Sequence, residues 1–115
     1  NQLGAKVVFL SPDSHDNILS FVSHLPHAIA FSLIDTVPDK YLKFAANGLK
    51  DTTRIAASDS KLWADIFLSN RKNMLKAIES FQDKLSGIKS AINRREEKTL
   101  IRIMKKAKAK REILR

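Results

Sequence analysis

The stretch FVSHLPHAIAF, residues 21–31, decides how this chain is read. Its apolar residues belong to a longer pattern in which Ile18, Val22, Leu25, Ile29, Leu33 and Val37 recur at steps of three or four, the spacing of one apolar helix face. Pro26 interrupts that face, with His24 and His27 on either side of it. A proline inside a helix removes the bond to the carbonyl four residues back, here that of Val22, and costs about 3 kcal/mol, so a kink is predicted. Imidazoles beside freed backbone groups make either a polar site that water or a ligand must satisfy, or a plainer arrangement in which one histidine bonds a backbone group near the break and the other is half exposed. Zinc is not indicated: the H-E-x-x-H arrangement needs a glutamate after the first histidine and a spacing of four, whereas Leu25 follows His24 and His27 is three residues on.

Working outward, residues Leu3 to Leu10 contain GAKVVFL, a β-branched run that reads as one strand with no second strand to pair with. Ser11, Pro12 and Asp13 then offer an N-cap, a first helical residue and an acidic first turn. Beyond Val37-Pro38-Asp39 a short amphipathic piece covers Tyr41 to Ala46, and NGLKD reads as a turn by its Asn-Gly pair. Asp51 is expected to cap a short helix TTRIAA, and Ser58 or Asp59 the helix SKLWADIFLSN. Met74, Ile78, Phe81, Leu85, Ile88 and Ile92 then follow a heptad seam, a narrow stripe that requires a partner helix. Leu100, Met104, Ala107 and Leu114 form a second stripe, so that partner is the last segment, a second copy, or both. The expected fold is all-α: a kinked first helix and long C-terminal helices over residues 11–115, preceded by a remnant strand within residues 1–10.

Composition sets further limits. The 115 residues suit one core, and apolar residues make up 43% against 29% charged, which predicts that charge breaks the apolar runs too often for a bilayer span. Cysteine is absent, consistent with a cytoplasmic protein, and the chain starts without methionine, which together with the unpaired strand reads as a fragment. The net charge of +9 is concentrated from Arg94 to the end, where ten basic residues stand against three acidic ones. A basic helical nucleic-acid-binding module is therefore the alternative reading, although that segment has no aromatic residue on which a base could stack. Gly4, Gly48 and Gly87 lie too far apart for any glycine-rich phosphate loop.

Among the remaining polar groups, Gly48, Lys50, Asp51 and Arg54 cluster in GLKDTTR, where an arginine fork could grip a carboxylate and Asp51 could pair with it. Trp63 reads as core, or as one wall of a pocket for a ring.

SPDSHD, SHLPHAIAFSLID, GLKDTTRIAASD and LWADIFLSN, in this order, resemble the C-terminal helical domain of prephenate dehydrogenase. The similarity is dense from Ser11 to Asn70 and only a helical pattern after that. The resemblance implies an NAD- or NADP-dependent oxidative decarboxylation of prephenate in tyrosine biosynthesis, with residues 1–10 as the end of a missing nucleotide-binding domain that also carries the catalytic histidine. This part would then be a homodimerisation and substrate-binding domain, inactive alone and without a membrane partner. It further implies substrate contacts from His24, His27, Gly48, Lys50, Arg54 and Trp63, a gate or ion pair from Asp51, and a place near the cofactor for Ser23. AANGLKD departs from the glycine run common in the family around Asn47 and Gly48.

Overall fold

The computed structural model describes residues 14–114, and these are helical with no strand among them. The expected strand, and the cap offered by Ser11, Pro12 and Asp13, lie outside the described residues. The first helix, α1 (His15–Thr36), starts at Ser14, whose hydroxyl accepts from the Asn17 amide at 3.2 Å.

Pro26 is accommodated by a change of helix type. α1 is α-helical over His15–Leu19, π-helical over Ser20–His24 and α-helical again over Leu25–Thr36. The Leu25 amide donates to the Ser20 carbonyl, five residues back, so the turn before the proline holds one extra residue. That residue rotates everything before the turn by about 100° relative to the expected stripe. Ser20 is consequently fully buried, its hydroxyl donating to the Asn17 carbonyl at 2.6 Å, while Val22 is 68% and Ile18 46% exposed. The apolar face continues correctly only after the turn, through Leu25, Ile29 and Leu33, beside the buried Ala30.

After a 3-10 segment (Asp39–Phe44) the chain enters α2 (Asn47–Thr53) and a 3-10 turn (Arg54–Ala56), both packed against the Leu25–Thr36 part of α1. NGLKD is thus helix and not a turn. An Asn-Gly pair specifies a tight reversal when strands flank it. Here helices flank it, and Gly48 sits in the first turn of α2 with open space where a Cβ would be. Asp51 lies inside α2 and caps nothing. Asp59 does act as a cap, accepting from the Lys61 and Leu62 amides at the start of α3 (Ser60–Ser69). Helices α1 and α3 interlock through two pairs spaced by four residues. His27 stacks on Trp63, and Phe31 meets Phe67 edge-on at 6.3 Å.

α4 (Arg71–Asn93) carries the heptad seam and α5 (Glu97–Arg111) the basic segment. By packing, the chain forms two units, residues 1–78 and 79–115, so α4 gives its first two turns to one and the rest to the other. Along the seam Met74 is buried, Ile78, Phe81 and Ile88 are half-buried, and Leu85 and Ile92 are exposed. On α5 the half-buried residues are Thr99, Leu100 and Ile103, whereas the expected Met104, Ala107 and Leu114 are exposed.

α4 ends in a Schellman motif, with the Glu96 amide donating to the Ala91 carbonyl and the Arg95 amide to that of Ile92. Arg95 takes the left-handed position, φ 57°, which favours glycine. Arg95→Gly is therefore expected to raise unfolding stability by up to about 1 kcal/mol in urea titrations. An unchanged or lower midpoint would show that Arg95 carries compensating contacts.

One expectation about α1 fails. From Asn17 to Ile34 there is no Asp, Glu, Lys or Arg, and the helix is long and apolar enough, by length and composition, to cross a membrane. Two histidines and buried Ser20 also lie on it, and its second half packs against α2 and the Arg54–Ala56 turn.

Candidate functional site

The imidazoles flanking Pro26 meet one tryptophan. His27 lies over Trp63 with ring centroids 3.5 Å apart and planes 15° from parallel, so the indole covers one face of the ring. His24 approaches the same indole edge-on at 5.9 Å. Phe67, one turn after Trp63, leans on its ring at 5.7 Å. Trp63 thus packs α3 against α1, half-buried rather than in the core, and the rings its indole meets are those of the chain's own histidines and Phe67.

Each imidazole also has a hydrogen-bond partner. His27 Nδ1 donates to the Ser23 carbonyl one turn back, at 2.9 Å. His24 Nδ1 is 3.2 Å from the side-chain nitrogen of Asn70, the residue that closes α3, and that nitrogen donates to the Asp16 carbonyl at 2.9 Å. Asn70 was not a candidate by sequence. It is far from His24 along the chain and belongs to no motif with a chemical signature; only its position at a helix C-terminus marks it.

His24 opens onto a cleft of ≈ 370 Å³ lined by Asp16, His24, Asp65, Ile66, Ser69 and Asn70. Of the expected substrate residues only His24 lines it. Lys50, Asp51 and Gly48 lie exposed on α2, and Arg54 is exposed at the turn packed against α1. The expected Asp51 ion pair does not form: among the described residues the ion pair is Lys61 with Asp65, one turn apart on α3. A carboxylate and a guanidinium three residues apart can meet on a regular helix, but α2 ends between them, at Thr53 with φ -105° and ψ 6°. Lys50 and Arg54 are thus cations without an acidic partner among the described residues.

Burial pushes the His24 pKa below the ordinary histidine value, positive charge on His27 lowers it further, and Asp16 opposes both. Ionisation is therefore easier in the unfolded chain, which takes up the proton first as the pH falls. The contribution of His24 to stability is complete above about pH 6.5 and declines on acidification from there. The urea midpoint is expected to fall over that range, and His24→Gln to flatten the fall; equal slopes in both proteins would contradict this environment.

The dimerization-domain model of prephenate dehydrogenase matches residues 11–106, most of the chain. This chain belongs to that family. A crystal structure of prephenate dehydrogenase from A. aeolicus, in complex with hydroxyphenyl propionate and NAD+, is similar over 91% of this chain and 39% of its own, with 42% identity and a TM-score of 0.81. The cyclohexadienyl dehydrogenase of Zymomonas mobilis is 34% identical over 79% of the chain, and the prephenate dehydrogenase of Bacillus subtilis 32% over 94%. The chain spans about a third of the length of these two relatives.

Proposed function

We propose that this chain is the helical part of a cytoplasmic prephenate dehydrogenase, providing one wall of the substrate site and the contact between two copies. The family match carries the proposal. In the reaction the ring carbinol of prephenate gives a hydride to NAD or NADP, carbon dioxide leaves, and the ring becomes aromatic in 4-hydroxyphenylpyruvate. The described residues do not fit a dinucleotide site of their own, since they contain neither a strand nor a glycine-rich loop. The cofactor and the catalytic histidine are assigned to a nucleotide-binding domain outside this chain, and Ser23 to the edge facing the cofactor.

What this chain supplies is charge and shape. Prephenate carries two carboxylates, and a dianion entering a site from which water is excluded requires fixed positive charge. Arg54 is assigned to one carboxylate, which its guanidinium fork matches, with Lys50 adding field; neither has an acidic partner among the described residues. Asp51 then acts only when substrate or a second domain draws Arg54 towards it. His24, His27 and Trp63 present a flat, partly polar wall suited to a six-membered ring, and Gly48 leaves room for close approach. In the intact enzyme, Arg54→Lys is expected to lower kcat/KM for prephenate on the order of tenfold or more by removing the bidentate fork, with cofactor KM unchanged. Unaltered prephenate kinetics would remove Arg54 from the site.

A second copy is assigned to the apolar surface this chain leaves open, including Phe21, Val22, Leu62 and Leu68 in the first unit and Leu85, Ile92 and Met104 in the second. Sedimentation at micromolar concentration is expected to give a dimer; a monomer alone would contradict the assignment.

A further inference from the structure

Asn70 joins three hydrogen bonds. Its Nδ2 faces the Asp16 carbonyl and His24 Nδ1, and its Oδ1 accepts from Asn73 Nδ2 at 2.8 Å. Chemistry fixes which end of the amide is which, because a backbone carbonyl only accepts, so the group facing Asp16 must be the NH2. The same NH2 faces His24, and the ring nitrogen it meets must offer a lone pair. In neutral His24 the proton then sits on Nε2. His27 is the reverse case. Its Nδ1 faces the Ser23 carbonyl and must carry the proton, which leaves Nε2 of the neutral ring bare.

We propose that Asn70 is a positioning residue that holds His24 as a neutral Nε2–H donor at the substrate wall, so that the two histidines present one donor and one acceptor. The proposal rests on the substrate-facing reading of His24 and His27 given above. A ligand bond to His24 Nε2 must then go to an acceptor, such as a carboxylate or carbonyl oxygen. One to Nε2 of neutral His27 must come from a donor, such as a hydroxyl. The two histidines of S-H-L-P-H are therefore not interchangeable, although their side chains are identical.

The π-turn is what lets a single amide reach both of its targets. Asp16 and His24 are eight residues apart, which in an uninterrupted α-helix places them about 80° apart around the axis. The extra residue of the π-turn makes the spacing equivalent to seven, about 20°, and brings the Asp16 carbonyl and the His24 ring to one face. The charged and titratable groups around His24 are Asp16 on its own helix, Asp65 across the cleft on α3, and His27. Burial and His27 favour the neutral ring, the form in which the tautomer matters.

Long-range proton–nitrogen spectra of the intact protein with 15N-labelled histidine, recorded above pH 7, test the proposal. The expected wild-type pattern is an unprotonated Nδ1 and a protonated Nε2 for His24, reversed for His27. A carboxylate can only accept, so Asn70→Asp is expected to move the His24 proton to Nδ1, raise its titration midpoint, and lower kcat/KM for prephenate. A wild-type His24 protonated on Nδ1, or averaging between the two forms, overturns the proposal without need of any variant. So does a tautomer that is unchanged in Asn70→Asp. A switched tautomer with unchanged prephenate kinetics would retain the positioning of His24 but overturn its place at the substrate wall, and the functional reading of these histidines with it.

Discussion

Pro26 has no amide hydrogen, and the helix around it is arranged to meet that constraint. A π-turn places the Leu25 amide on the Ser20 carbonyl and takes up one extra residue before the proline. The consequences extend well beyond the missing bond. Ser20 turns inward, Ile18 and Val22 turn outward, and Asp16 comes into line with His24. After the turn, His27 and Phe31 resume α-helical spacing and meet Trp63 and Phe67 at the same spacing on α3. Proline, the π-turn and the aromatic contacts together hold two imidazoles in different surroundings within one turn of helix.

Those surroundings differ in chemistry as well as position. His27 has one face closed by the indole and one nitrogen tied to its own helix. His24 is tied to a different helix and borders a cleft whose other charged groups, Asp16 and Asp65, are acidic. Lys50 and Arg54, which have no acidic partner among the described residues, do not line that cleft. Positive charge therefore lies on the Arg54 side of α1 and negative charge in the cleft that His24 borders.

Local signals in the sequence translated well into local structure. Asp59 capped the helix it preceded, because a carboxylate beside free amides acts wherever the helix is placed. Trp63 served packing between α1 and α3, since a large ring inside an apolar stripe has few other options. NGLKD was misread because a dipeptide preference says nothing about the elements on either side, and the α2 helix overrode it. The stripe from Ile18 to Val37 was only half right: it assumed a constant 3.6-residue period, and the π-turn changed the phase midway. The proline announced some disturbance but not its form. Asn70 was beyond reach for a different reason. Its hydrogen bonds to Asp16 and His24 join residues more than forty positions apart, and no local pattern encodes such a contact.

The π-turn is therefore the feature to measure. Scalar coupling across hydrogen bonds identifies the carbonyl that accepts from a given amide, and the Leu25 nitrogen is the informative one. Coupling to the Ser20 carbonyl carbon is the result this account predicts. Coupling to that of Phe21 instead would mean an unbroken α-helical register, and would separate Asp16 from His24 and remove the basis for the shared site.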